Sequence, residues 1–312
     1  SYIYYRYNPL SLLVNIIFNN IIKDIIYIGF IIKISAIIPT FNRCHLIKNA
    51  IESILSQSYK VDEIIVVDNN SSDDTIKVIK EKYPKIKLLE EKKQGVSNAR
   101  NKGILHAKNK WVAFLDSDDI WMPKKIELQV NKIKYSKNEI FMIHTDEIWI
   151  RNKKFINQRK KHKKLEGYIF EKCLDMCIIS PSSVLINTLL FKKYGNFNER
   201  LKVCEDYELW LRLTSKIPVS LINEPCVIKH GGHIDQLSKK FWGIDRFRVK
   251  ALEKLLLYYK LQGSQKINMM SVLLKKINII IMGAEKRKNI KIKRIYNFKK
   301  KYWLNKLRLL NE

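Results

Sequence analysis

The chain has 312 residues, 46% of them hydrophobic, with 59 Lys and Arg against 30 Asp and Glu, a formal net charge of +29. This apolar content excludes general disorder, and the length suits one large domain or one domain with additions. The positive balance bears on solubility and on anionic partners, not on fold, and much of it reads as compositional bias, since Lys far outnumbers Arg and Ile, Lys and Asn recur throughout.

Residues 1–33 stand apart. Leu10 to Ile32 is rich in Ile and Phe but holds Lys23 and Asp24 near its middle, a pair costly inside a bilayer. The segment reads as an extension outside the domain or a peripheral anchor, with a poor membrane span left open. From Lys33 the pattern alternates. Ile34 to Ile38 is an apolar strand broken by Pro39-Thr40-Phe41-Asn42-Arg43, and Leu46, Ile47, Ala50, Ile51, Ile54 and Leu55 then recur at helical spacing. Glu63 to Val67 is a second strand ending in Asp68, with Ser72 or Asp73 placed to cap the next helix. Ile86 to Leu89 is a third strand, Gln94 to His106 a helix opened by Gly95, and Trp111 to Leu115 a fourth strand. Such βαβ units imply a mostly parallel sheet of Rossmann type over the first ~120 residues. Neither a Gly-x-Gly-x-x-Gly turn nor a Walker loop follows the first strand, which disfavours a dehydrogenase or P-loop NTPase.

Beyond Ile140 the order is less regular. Phe141 to Ile150 reads as a strand, Arg151 to Lys164 as a basic mobile loop or hairpin, Ser182 to Ile186 as a strand and Leu189 to Tyr194 as a helix. Glu205 to Ser215 is an amphipathic helix, Val219 to Ile222 and Cys226 to Ile228 are short strands, and the chain is helical and basic from Phe241. Cys44, Cys173, Cys177, Cys204 and Cys226 have no zinc spacing and read as free thiols of a reducing compartment.

The chemistry gathers at strand ends. Asp116, Asp118 and Asp119 follow the fourth strand, where open α/β sheets bind ligands, and such oxygen ligands suit Mg²⁺ or Mn²⁺ with phosphate; an acidic turn is the competing reading. Asp68 can accept from a base or ribose edge or make an Asx-turn, and Phe41 can stack on a base or belong to the core. Glu205 and Asp206 begin a helix, where a carboxylate serves either the helix dipole or general-base chemistry. His230-Gly231-Gly232-His233 follows a strand and offers histidines either as metal ligands or as structural groups.

Five stretches occur in order between Ile34 and His233: Ile37-Ile38-Pro39-Thr40-Phe41-Asn42-Arg43, Ile64 to Thr75 around Val67-Asp68-Asn69-Asn70-Ser71-Ser72, Gly95-Val96-Ser97-Asn98-Ala99-Arg100-Asn101-Lys102-Gly103, Phe114-Leu115-Asp116-Ser117-Asp118-Asp119, and Glu205-Asp206-Tyr207-Glu208-Leu209-Trp210-Leu211-Arg212-Leu213. Together they resemble family 2 glycosyltransferases of the GT-A fold. One departure is Asn69, where that family often has a second Asp. The resemblance implies an α/β, GT-A type Rossmann-like sheet flanked by helices, with a basic helical C-terminal extension. It divides the chain into 1–33, a catalytic domain 34–240 (nucleotide-binding half 34–120, acceptor half 121–240) and 241–312. It implies inverting transfer from a UDP-sugar. Pro39, Thr40, Phe41, Arg43, Asp68, Arg100, Asp116 and Ser117 would contact the nucleotide-sugar. Asp118 and His233 would hold a divalent metal, Mn²⁺ or Mg²⁺, with His230 the less favoured histidine, and Asp206 would be the catalytic base. A glycan or lipid-linked acceptor and a role in cell-surface polysaccharide synthesis follow from the same resemblance.

The basic tail mixes Ile290, Ile292, Ile295, Tyr296, Phe298, Tyr302, Trp303, Leu304 and Leu307 with Lys and Arg, a composition suited to an anionic membrane surface. The expected location is cytoplasmic and peripheral on the inner face of the plasma membrane. Two alternatives stand beside this reading. One is a non-catalytic relative serving as a partner subunit, which the intact carboxylates disfavour. The other is a basic nucleic-acid binder, disfavoured because no recognisable binding motif accompanies the charge; no nucleic-acid partner is expected.

Overall fold

A computed structural model describes residues 31–152, 154–232 and 241–311. The expectations for residues 1–30, for His233 and for the stretch that follows it lie outside those residues.

The first half alternates as the sequence predicts: β1 (Ile34–Thr40), α1 (Ile47–Leu55), β2 (Glu63–Asp68), α2 (Thr75–Lys82), β3 (Lys87–Glu90), α3 (Val96–His106) and β4 (Trp111–Phe114). Every residue of β1 is buried, as in a central strand covered on both faces. Ile47, Ala50, Ile51 and Ile54 of α1 turn inward at helical spacing. Strands β2 and β4 flank β1, and β1 to β4 all run parallel. The carboxyl ends of β1, β2 and β4 therefore open on one edge of the sheet, where Asp68 and Asp116 were expected to share a crevice.

Then follow β5 (Ile120–Trp121), α4 (Lys125–Tyr135), β6 (Met142–Arg151), β7 (Lys154–Ile156), α5 (Phe170–Asp175), β8 (Leu185–Asn187), α6 (Leu189–Tyr194), α7 (Glu205–Thr214) and β9 (Ser220–Gly231). The sheet order is β3-β2-β1-β4-β8-β6-β9-β5, with β7 paired to β6. In this half the sheet is mixed: β8 is antiparallel to β4 and β6, β9 is parallel to β6, and β5 is antiparallel to β9. The two short strands expected at 219–222 and 226–228 are one strand, β9. Its register shifts against β6 around Asp146, opposite Pro225, a place where a residue without an N–H is tolerated. The basic 151–164 segment is a hairpin, β6 turning into β7, followed by a 3₁₀ turn at Lys160–His162.

Three helices close the chain: α8 (Asp245–Tyr258), α9 (Gly263–Lys286) and α10 (Ile290–Asn311). α10 packs on α9, α9 on α8 and α5, and α8 on α7. By length and composition α9 could cross a membrane, but half of its most apolar stretch is buried. Met269, Met270, Leu273, Ile277 and Ile280 join one core with Phe114, Tyr207 and Trp210, so the apolarity of α9 is accounted for by packing.

Candidate active site

The crevice begins at paired strand ends. Thr40 lies opposite Asp68 in the β1–β2 register, and both are buried. Asp68 Oδ2 accepts the Ser71 N–H at 2.9 Å, the expected Asx-turn. Its other oxygen, Oδ1, and the Thr40 hydroxyl are buried with no hydrogen-bond partner among the described residues. Leaving such groups unpaired costs about 1–3 kcal/mol each, so the strand ends hold a donor–acceptor pair suited to a ligand edge. Pro39 is buried within β1, whereas Phe41, one residue past it, is 40% exposed.

The Pro-Thr-Phe-Asn-Arg turn is stitched to the loop after β2. The Asn42 N–H donates to Ser71 Oγ at 2.9 Å, the Arg43 N–H to Thr75 Oγ1 at 2.9 Å and the Cys44 N–H to Asp73 Oδ2 at 3.1 Å. Arg43 also donates from Nη1 to the Asn42 carbonyl. The N-cap of α2 is Asp74, without a side-chain cap bond, and not Ser72 or Asp73 as expected; Asp73, one residue earlier, accepts the Thr75 N–H on Oδ1 at 3.1 Å. Asn69 uses both ends of its amide: Nδ2 donates to the Glu91 and Lys93 carbonyls at 3.0 and 2.9 Å, and Oδ1 accepts the Gly95 N–H at 2.7 Å. An aspartate there would set a carboxylate against two carbonyl oxygens, which gives a local reason for the departure seen in the sequence.

Arg100, on α3, is 3% exposed and ties the two halves of the site together. Nη2 bonds Asp116 Oδ1 and Nη1 bonds Glu205 Oε1, each at 2.7 Å. Burial opposes its charge, but Asp116 and Glu205 outweigh that and hold the proton more firmly than usual. Burial and then the neighbouring Asp206 push the Glu205 carboxyl up to about 7, against the pull of Arg100. Asp116 is half-buried and Ser117 buried just beyond β4.

The next two carboxylates differ. Asp119 accepts the Ser182 hydroxyl at 2.6 Å and the His230 N–H at 3.1 Å, a bracing role between β9 and the Ser180–Ser183 turn. Burial raises its carboxyl well above the usual range, with Lys229 pulling the other way. Asp118 is half-buried, and its backbone carbonyl lies 3.0 Å from His230 Nδ1. A carbonyl only accepts, so this ring is protonated on Nδ1 and, when neutral, keeps a lone pair on Nε2. Among the described residues no three His, Cys, Asp or Glu side chains are grouped to hold a metal. Asp118 supplies the hard carboxylate oxygen that suits Mn²⁺ or Mg²⁺, and His230 adds an imidazole nitrogen, a donor more at home on softer divalent ions than on Mg²⁺.

Asp206 stands in the first turn of α7 beside Glu205 and Glu208, where the helix dipole favours carboxylates. The helix is entered through Cys204 in the left-handed region, φ 63°. Asp206 is half-buried; Oδ1 accepts the Tyr207 N–H at 2.7 Å, and Oδ2 lies 3.4 Å from the Cys177 sulfur, whose single hydrogen has a closer acceptor in the Ile179 carbonyl at 3.1 Å. Burial and the Asp206 charge push that thiol well above its ordinary value, so Cys177 stays a donor. Lys229 was not singled out from the sequence. Although burial opposes its charge, Glu147, Asp119, Asp116 and Asp206 hold its ammonium well above the usual range, which places it among the site carboxylates. The only signal was a charged residue at the end of the apolar run Cys226 to Ile228.

Thr40, Asp68 and Asp116 thus stand at the carboxyl ends of neighbouring parallel strands, and Arg100 joins Asp116 to Glu205 at the start of α7 and feels the charge of Asp206. The family model described as Glycosyl transferase family 2 matches residues 35–195. An Escherichia coli enzyme, UDP-Glc:alpha-D-GlcNAc-diphosphoundecaprenol beta-1,3-glucosyltransferase WfgD, is 33% identical over 193 residues, 61% of this chain and 73% of that one. Among solved structures, S. aureus TarS 1-349 in complex with UDP-GlcNAc superposes with a TM-score of 0.59 at 18% identity, covering 85% of this chain and 90% of that one. The mannosyltransferase PcManGT from Pyrobaculum calidifontis, in complex with GDP-Man and Mn²⁺, gives 0.55 at 16% identity, covering 89% and 86%. Both likenesses bear on the fold, which is the GT-A arrangement expected from the sequence. The chain spans between 28% and 58% of the length of four uncharacterized Rickettsia glycosyltransferases that it also matches.

Proposed function

The chain belongs to glycosyl transferase family 2, and from that premise we propose that it moves a sugar from a UDP-sugar to a hydroxyl of a lipid-linked or glycan acceptor, with inversion at the anomeric carbon. The observation that carries this reading is Asp68, a 1% exposed carboxylate at the carboxyl end of a parallel strand, with Oδ1 and the hydroxyl of its register partner Thr40 both unpartnered among the described residues. A pyrimidine or ribose edge supplies the missing partners, and Phe41 is exposed next to them for stacking. The UDP-Glc in the WfgD name and the UDP-GlcNAc bound to TarS support uracil as the base. The diphosphoundecaprenol acceptor in the WfgD name supports a lipid-linked acceptor, with the enzyme working from the cytoplasmic face of a membrane in polysaccharide synthesis. Residues 34–240 would carry the chemistry and 241–312 would form the extension.

Asp206 is the general base in this proposal. Its carboxylate takes the proton from the acceptor hydroxyl while that oxygen attacks the anomeric carbon, and the bond from that carbon to the diphosphate breaks. Oδ1 is held by the Tyr207 N–H and the backbone by the first turn of α7. Asp116, fixed by Arg100, faces the ribose side. Asp118, with His233 or His230, would hold a divalent ion, which when bound neutralises the charge on the leaving diphosphate; Mn²⁺ in the PcManGT complex supports that assignment. Lys229 adds a fixed positive charge among the carboxylates.

The test is turnover of a panel of UDP-sugars with Mn²⁺ or Mg²⁺, read as UDP release. Asp206→Asn keeps UDP affinity and loses at least about a hundredfold in kcat, in line with removal of a general base. Undiminished turnover in that variant would contradict the assignment of the base, and absence of turnover with every nucleotide-sugar would contradict the function.

A further inference from the structure

α10 has two apolar faces, and among the described residues only one of them is packed against the rest of the chain. Tyr296 and Trp303 are buried on the side that meets the bundle, where Trp303 Nε1 donates to Glu253 at 3.0 Å. Ile295, Phe298, Tyr302 and Leu309 lie at i, i+3, i+7 and i+14, which a helix of 3.6 residues per turn places on one stripe pointing away from that contact. These four are exposed, Phe298 by 75% and Leu309 by 64%. The stripe is rimmed by Lys291, Arg294, Lys301, Lys306 and Arg308, all exposed. The helix Ile290–Asn311 contains eight Lys or Arg and no Asp or Glu.

We propose that this outward face of α10 docks on a bilayer bearing anionic headgroups, with the four apolar side chains in the interface and the basic rim against the lipid phosphates. This deepens the reading that the acceptor is lipid-linked. The charge pattern selects the occupant. A second copy of this chain would set one basic rim against another, a like-charge contact. Aliphatic Ile295 and Leu309 gain nothing from stacking on bases, whereas an interfacial amphipathic helix buries such side chains at the headgroup boundary with lysines and arginines on its flanks. The α10–α9–α8–α7 packing joins this face to the helix that carries Asp206, so docking would hold the site near membrane-borne acceptors.

The experiment is flotation of the full chain with vesicles of phosphatidylcholine alone or mixed with phosphatidylglycerol. The expected result is co-flotation with the mixed vesicles only, weakening at high salt, and a loss of at least about tenfold in bound fraction for Ile295→Ser/Phe298→Ser/Leu309→Ser. Because the three positions are exposed, far-UV circular dichroism and release of UDP from UDP-sugars should match wild type. Failure of that release in wild type itself would count against the enzymatic reading and not against docking. Equal flotation of wild type and triple variant would overturn the proposal. So would a concentration-dependent dimer abolished by the same substitutions, or salt-sensitive binding to RNA without binding to vesicles.

Discussion

Asp68 and Asn69 are adjacent at the end of β2 and do opposite work. Asp68 leaves one buried oxygen without a partner among the described residues, whereas Asn69 uses its whole amide to anchor the loop before α3. Asp68→Ala should therefore act mainly on binding: it gives up the Ser71 bond, a loss of about 1 kcal/mol in stability offset in part by removal of the unpaired Oδ1, and should raise the Kd for UDP by about 10–100-fold in calorimetric titration. Asn69→Asp should do the reverse. Two donors to carbonyls are replaced by a charge facing them, and unfolding in urea should report a loss of roughly 2–4 kcal/mol. Asp68 was legible as a candidate because a carboxylate ended an apolar strand. The division of labour with its neighbour was not, since it depends on carbonyls some twenty residues away.

At the scale of elements, the motif Gly95 to Gly103 is a packing device as well as a sequence signature. Gly103 lies on α3 against β1, and a Cβ there would come within 2.4 Å of Ile37 Cγ2 in a strand with no room to shift. Gly103→Ala should destabilise the protein by ~1–3 kcal/mol, lowering the melting temperature, although alanine is the better helix former. Close approach of α3 is also what lets Arg100 reach both Asp116 and Glu205. The strand–helix alternation from Ile34 to Phe114 was readable because each element carries its own periodicity. Beyond Phe114 the local signals thin out. Strand β5 has two residues, α5 has six, and β9 continues through Pro225 with a register shift against β6 around Asp146.

For the whole molecule, two buried carboxyls set opposite limits on pH. Lys164 at 3.0 Å, Lys229 and the hydroxyl of Ser180 outweigh burial and lower Glu147 from 4.5 to about 2. The folded state then binds the proton less tightly than the unfolded chain. The stability Glu147 contributes, of order 3 kcal/mol, is present above pH 4.5 and is lost as pH falls toward 2. Glu205 has the opposite sign. Raised from 4.5 to about 7, it contributes stability that is complete below 4.5 and is lost as pH rises through 7. Melting temperatures measured across this range should fall for wild type relative to Glu205→Gln between pH 4.5 and 7, the gap closing at lower pH. The sequence by itself determined the parallel half of the sheet and the residues at its strand ends, because apolar periodicity and turn residues act over a few positions. Only the tertiary structure decided what those residues face: which oxygen of Asp68 stays unpaired, that Arg100 joins Asp116 to Glu205, and that Lys229 enters the carboxylate cluster. Those outcomes depend on burial and on charges brought together from distant parts of the chain, which no local pattern encodes.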